Sequence, residues 1–253
     1  MIDLSAIRRE SVLGRALRAP LRLIPPATVL PIAQGPLRGA RWIVGSATHG
    51  CWLGCYEAEK QRLCVAYARP GMTVFDLGAN VGFYTLLFSR LVGAAGTVHA
   101  FEPVERNLGY LRKHLALNGV SNAHVHPVAA GRRTGRADFD PSRDPRTGRV
   151  VSAATPSTLT VPVGSLDDFV YREGHPPPQL VKIDVKGGEG DVLDGSDRLL
   201  SEERPTLFVA IHGLDQWRRC YELLTRRRYR IEDLKGVVLD RDIEHDEIVA
   251  TPG

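Results

Sequence analysis

The sequence predicts one doubly wound α/β domain carrying a helical N-terminal extension. Three observations support this reading. From Pro70-Gly71 onward, short apolar runs alternate with segments of helical period. One run, Thr73–Leu77, feeds straight into a glycine turn and then a helix. The next run ends on an acid, Glu102.

Bulk properties narrow the class. The chain has 253 residues, enough for one large α/β domain with a buried core. Hydrophobic residues at 43% and charged residues at 25% exclude a disordered or fibrous chain. The net charge of +4 comes mostly from dispersed arginines. The densest run, Arg226, Arg227, Arg228 and Arg230, reads either as a solvated helix face or as a contact for an anionic substrate. No interleaving of aromatic and basic residues marks a nucleic-acid platform, so nucleic acid is not an expected partner. The cysteines (Cys51, Cys55, Cys64 and Cys220) lack the C-x-x-C spacing of a zinc site and the density of a secreted scaffold. Free thiols in a reducing cytoplasm are expected.

Residues 1–69 form the expected extension and residues 70–253 the main domain. Arg8, Arg9, Arg15 and Arg18 lie among apolar residues and predict a basic amphipathic helix over roughly residues 5–19. Leu21–Pro31 is apolar but broken by Pro25-Pro26; it falls short of the ~20 residues that span a bilayer. No signal peptide is evident. A short hairpin is expected around Gly39–Val44.

In the main domain, Thr73–Leu77 reads as a buried parallel strand, followed by Phe83, Leu86, Leu87 and Leu91 at helical spacing. Thr97–Phe101 is the second strand. Arg106–Leu117 is a helix stopping near Asn118-Gly119, and Val125–Val128 the third strand. Gly131–Pro162 is a polar, irregular excursion. Leu180–Val185 then returns as a strand, with one helix across Glu189–Leu200. Thr206–Ile211, a helix over Trp217–Leu224, and the strands Tyr229–Leu234 and Glu247–Ala250 complete the pattern.

The stretch Val74–Gly82 points to chemistry. A dinucleotide site favours G-x-G-x-x-G, which seats a pyrophosphate at a helix N-terminus. Here the pattern is D-x-G-x-N-x-G, with Asp76 before Gly78. A carboxylate there repels a pyrophosphate but suits a cationic ligand, and the sulfonium and amino groups of S-adenosylmethionine meet that description. Glu102, 26 positions later, can accept from both ribose hydroxyls.

These residues resemble the FkbM-type methyltransferases, and the resemblance runs from about Gly35 to Gly253. Its motifs are Gly35-Pro-Leu-Arg-Gly39, Trp52-Leu-Gly-Cys-Tyr-Glu57, Asp76-Leu-Gly-Ala-Asn-Val-Gly-Phe-Tyr-Thr85 and Ala100-Phe-Glu-Pro103. Further motifs are Ser165-Leu-Asp-Asp168, Lys182-Ile-Asp-Val185, Ile211-His-Gly213 and Val249-Ala-Thr-Pro252. The resemblance implies a Rossmann-like class I methyltransferase sheet and transfer of a methyl group to oxygen, often a sugar hydroxyl of a glycan or glycosylated metabolite. It also implies that Asp76, Gly78, Ala79, Asn80, Gly82, Glu102 and Pro103 hold the cofactor. Thr85 would reach the cofactor's carboxylate, and Asn107 and Ala129 would meet its adenosine. Asp184 would face its methionine portion or the acceptor. From their position before the core, Trp52, Tyr56 and Glu57 are candidates to roof the cofactor or acceptor cleft, Glu57 as a cofactor-binding residue. Ordinary packing is the alternative for Trp52 and Tyr56. Gly131–Pro162 is a candidate wall of the acceptor pocket.

Two positions depart from the family pattern K-I-D-V-E-G-x-E and its later glutamate. Lys186 replaces the first glutamate, and Ala210 stands two places before His212 where the second is usual. Asp184, Glu189 and His212 remain as possible metal ligands, so a divalent metal is the less favoured reading. His212 is the first candidate base, because imidazole changes charge near neutrality; capping a strand end is its alternative role. Asp184 is the second candidate. Glu189 is the third catalytic candidate; it opens a helix, where the dipole alone would also explain an acid. Three functions fit: an O-methyltransferase, a cofactor-binding protein with impaired catalysis, or, less well, a nicotinamide-dependent oxidoreductase.

Overall fold

Two short strands, β1 (Val29–Pro31) and β2 (Arg41–Ile43), pair antiparallel near the start of the computed structural model. Described are residues 20–140, 149–151 and 158–253. The basic helix expected over residues 5–19 lies outside these residues. The hairpin is wider than expected, because Gly35 and Gly39 both adopt positive φ between its strands. Helices α1 (His49–Leu53) and α2 (Ala58–Tyr67) follow. These elements bury Ile32, Leu37, Trp42 and Cys64 in one cluster with Val74, Phe88, Val98 and Phe208 of the main sheet.

The sheet begins with β3 (Thr73–Leu77), α3 (Phe83–Val92), β4 (Thr97–Phe101), α4 (Glu105–Leu117) and β5 (Ala123–His126). A second, smaller sheet is then built from β6 (Ala129–Ala130), β7 (Gly135–Asp140), β8 (Arg149–Val151) and β9 (Leu159–Gly164). The chain returns through β10 (Leu180–Ile183), α5 (Glu189–Asp194), α6 (Asp197–Glu202) and β11 (Thr206–Ala210). It ends with α7 (Leu214–Arg226), β12 (Tyr229–Glu232) and β13 (Glu247–Pro252).

The main sheet runs β12-β13-β11-β10-β3-β4-β5. Its central strands are parallel, and β13 is antiparallel to both neighbours. Every residue of β10 is buried, as befits a strand covered on both faces. The chain leaves β3 toward β4 on one side and returns to β10 on the other. The carboxyl ends of β3 and β10 therefore flank a topological switch point, where open α/β sheets bind ligands.

Two expectations need correction. The polar excursion Gly131–Pro162 is, in its described parts, the four-stranded sheet β6-β9-β7-β8. Its inward face carries Phe139, Val161 and Val163; the Val-Pro-Val alternation was the signal, masked by polar neighbours. The single helix over Glu189–Leu200 is two helices, α5 and α6. They part at Gly195, where a Cβ would collide with the carbonyl oxygen of Gly131.

Candidate active site

A cleft of about 360 Å³ opens at the switch point. One wall is the β3–α3 loop, with Gly78, Ala79 and Asn80, joined by Glu102, Pro103 and Asn107. Lys182, Asp184, Lys186 and Asp191 form the facing wall. The small sheet closes one end with Ala129, Arg136, Phe139 and Val163, and Tyr56, Phe83 and Tyr84 lie on the other side.

The loop's geometry explains its residues. Gly78, Asn80 and Gly82 have φ of 70°, 51° and 90°, the left-handed region where glycine and asparagine are at ease. A Cβ on Gly78 would strike the carbonyl oxygen of Asp184. Gly78 and Ala79 donate their N–H groups to the Phe101 carbonyl at 3.0 Å each, tying the loop to β4.

Glu102 is held in place from three directions. Its Oε2 accepts from the Asn80 N–H at 2.9 Å, while Oε1 accepts from the Val104 N–H at 2.9 Å and Asn107 Nδ2 at 3.2 Å. A carboxylate offers about four acceptor positions, so roughly one is left toward the cleft. Burial pushes the Glu102 carboxyl above its ordinary value, opposed by these donors.

Asp76 and Thr85 are placed differently from expectation. Both are fully buried and neither lines the cleft. Asp76 accepts from Thr85 Oγ1 at 2.6 Å and pairs with Lys182 Nζ at 2.9 Å. Lys182 also donates to the Gly78 carbonyl at 3.1 Å. Asp76 thus fixes the floor beneath the loop, with its side chain fully enclosed. Burial would lower the Lys182 ammonium, but Asp76 and Asp184 outweigh it and hold it above its ordinary value.

Gly82 and Glu57 also stand off the cleft. Gly82 lets α3 begin close to α4, since a Cβ would meet Leu111. Glu57 accepts from Tyr84 Oη and pairs with Lys60, both at 2.8 Å. Trp52 is likewise absent from the wall; its Nε1 donates to His49 Nδ1 at 3.0 Å.

On the facing wall, Asp184 follows directly after β10. Lys186 Nζ lies 3.0 Å from Asp184 Oδ1 and 2.6 Å from His212 Nε2. His212 Nδ1 in turn lies 2.5 Å from Glu189 Oε1. The arrangement assigns the proton: Nδ1–H donates to Glu189, and Nε2 accepts from the ammonium. The nitrogen that would act as base is therefore engaged, and neither His212 nor Glu189 lines the cleft. Asp184 does. Burial would raise its carboxyl, but the Lys182, Lys186 and Lys60 ammonium groups hold it at about 2.

Among the described residues, no three or more His, Cys, Asp or Glu side chains are grouped to hold a metal ion. The donors Asp184, Glu189 and His212 do not fit one, because an ammonium stands among them. The Ser165–Asp168 motif is structural: Asp167 accepts from the N–H groups of Arg198 and Leu199 at 2.9 Å and caps α6. Sequence reasoning gave Lys182 no role. Its signal was a lysine inside an apolar strand, a residue type almost never buried unless paired.

A glycine-loop cleft at the switch point of a seven-stranded sheet with one reversed strand defines a class I S-adenosylmethionine-dependent methyltransferase domain. The methyltransferase FkbM domain matches residues 76–232, more than half of the chain, which therefore belongs to the FkbM methyltransferase family. It is similar to the 31-O-demethyl-FK506 methyltransferase FkbM of Streptomyces tacrolimicus, 32% identical over 58% of this chain and 68% of that one. It is also similar to the hexuronic acid methyltransferase AglP of Haloferax volcanii, 28% identical over 63% and 64% of the two chains. The chain thus spans about two thirds of the length of these relatives. Among solved structures, methyltransferase FkbM of Methylobacillus flagellatus shares the fold, with a TM-score of 0.50 and 21% identity over 79% of this chain and 51% of that one.

Proposed function

We propose that this chain transfers a methyl group from S-adenosylmethionine to a hydroxyl oxygen of a sugar or sugar-bearing small molecule. The observation that carries this reading is the pairing of walls: Glu102 and the glycine loop face Asp184 and Lys186 across one cleft. A ribose-binding carboxylate and an acceptor-facing carboxylate are then within one ligand's reach. One relative is a 31-O-demethyl-FK506 methyltransferase and another a hexuronic acid methyltransferase, which supports an oxygen acceptor of this class. Four buried cysteines, none in a disulfide, agree with a reducing cytoplasm.

When bound, S-adenosylmethionine supplies the electrophilic methyl group. Glu102 would accept from its ribose, and the Gly78–Asn80 backbone would allow its close approach. Asp184 receives the hydrogen of the acceptor hydroxyl and aims the oxygen. A carboxylate held near pH 2 is a weak base, so alignment supplies most of the rate and the proton leaves late. Asp184→Asn retains the shape but loses the acceptor for that proton. In assays of S-adenosylhomocysteine release with hexuronic acids and glycosides, it should lower kcat by about 10²-fold or more and change cofactor affinity only a few-fold. An unchanged kcat would remove Asp184 from the mechanism. Cofactor binding without turnover on any acceptor would favour a binding protein.

A further inference from the structure

Lys186 has φ of 44° and Gly187 a φ of 85°, two successive residues in the left-handed region that an L side chain rarely occupies. This turn folds the lysine back over the end of β10. Its ammonium lies against Asp184 Oδ1 and His212 Nε2, two atoms only 3.8 Å apart. Behind His212, Glu189 is fully buried, and its Oε2 has no hydrogen-bond partner. Two carboxylates and an imidazole are donors that hold divalent cations. The position between Asp184 Oδ1 and His212 Nε2 is already filled by a positive charge from the chain itself, while Glu189 holds the other ring nitrogen.

We propose that Lys186 is a built-in cation: its ammonium takes the place of a divalent metal between Asp184 and His212 and fixes both side chains. As it stands, the cleft excludes a divalent ion by occupancy and by like charge. Replacing the ammonium with an acid removes the repulsion and adds a ligand beside Asp184 and His212, with Glu189 still orienting the imidazole from its far nitrogen. Lys186 is a positioning residue, and its role is in cation exclusion, separate from methyl transfer itself.

The test is Mn²⁺ binding by the full chain, followed by electron paramagnetic resonance and calorimetry, for wild type, Lys186→Glu and Lys186→Gln. Circular dichroism reports folding, and S-adenosylhomocysteine titration of the same samples reports the cofactor site independently. Wild type should show no saturable Mn²⁺ binding in the millimolar range. Lys186→Glu should bind one Mn²⁺ at least about 100-fold more tightly, as expected when ligand charge rises, and adding Asp184→Asn should abolish that gain. Lys186→Gln, which removes the charge without adding a ligand, should gain less. Tight wild-type binding that Asp184→Asn removes would overturn the proposal. So would two folded Lys186 variants that bind Mn²⁺ no better than wild type.

Discussion

Two aspartate–lysine pairs lie close together, one on β3 and β10 and one just past the end of β10, alike in chemistry and unlike in their access to water. Asp76 and Lys182, directly opposite in register, are 2.9 Å apart with side chains 0% and 4% exposed. Asp184 and Lys186 are 3.0 Å apart with side chains 18% and 30% exposed. The first pair is buried, with Asp76 sealed in the sheet and Lys182 reaching the cleft wall, and its bonds go to Thr85, the Gly78 carbonyl and each other. The second stands past the strand end, on the wall of the cleft. Position relative to the strand ends decides how far a charge is sealed in the fold: Asp76 is fully enclosed, and Asp184 and Lys186 past β10 are partly open.

The comparison is broken most sharply at Lys182. Lys182→Met leaves Asp76 as an unpaired buried charge, and urea unfolding should report a loss of about 3–5 kcal/mol. A loss below that of an exposed pair would show that the inner pair is not holding the sheet. Gly78 connects the pairs, accepting from Lys182 and lying against the Asp184 backbone. Gly78→Ala should cost about 1–2 kcal/mol for the left-handed backbone alone, with further loss from the collision. Cofactor affinity should fall with it, and unchanged values of both would contradict the loop geometry.

Acid separates the outer pair from a third group, the buried His99 and His114 and the half-buried His126 of β4, α4 and β5. Burial, reinforced at His99 by His126, His124 and His175, lowers His99 to about 3. Burial lowers His114 and His126 to about 4. These side chains fold neutral, so below their ordinary value of 6.5 the unfolded chain binds more protons. Their contribution is fully present above that pH and is lost as pH falls toward 4. Asp184, held at about 2 against an ordinary 3.8, contributes above pH 3.8 and loses that contribution only as pH falls toward 2. Unfolding midpoints should therefore decline between pH 6.5 and 4 in wild type and Asp184→Asn alike. A flat profile there would contradict the histidine assignment. The smallest effect is at Lys186: Lys186→Ala should change stability by less than about 1 kcal/mol, and a loss matching Lys182→Met would erase the distinction between the pairs.

The strands, the glycine turn and Glu102 were legible because periodicity and a single strand-end position determine them. Of the expected cofactor residues, Gly78, Ala79, Asn80, Glu102, Pro103, Asn107, Ala129 and Asp184 line the cleft. Asp76 was not legible as a buried group, because its partner Lys182 lies 106 residues away and local pattern carries no such pairing. The same limit hid the Lys186–His212 contact, which spans 26 residues and depends on a left-handed backbone at a lysine. The small sheet was missed because glycine, proline and arginine dominate its sequence while only a few positions face inward.

The central claim is that the cleft beside Glu102 holds S-adenosylmethionine, and calorimetric titration with S-adenosylhomocysteine tests it most directly. Wild type should bind at micromolar strength or better, about −8 kcal/mol. Glu102→Ala should bind roughly 10- to 100-fold more weakly, as for loss of a hydrogen bond to a charged group. No binding to wild type, or equal binding by Glu102→Ala, would contradict the assignment of this cleft.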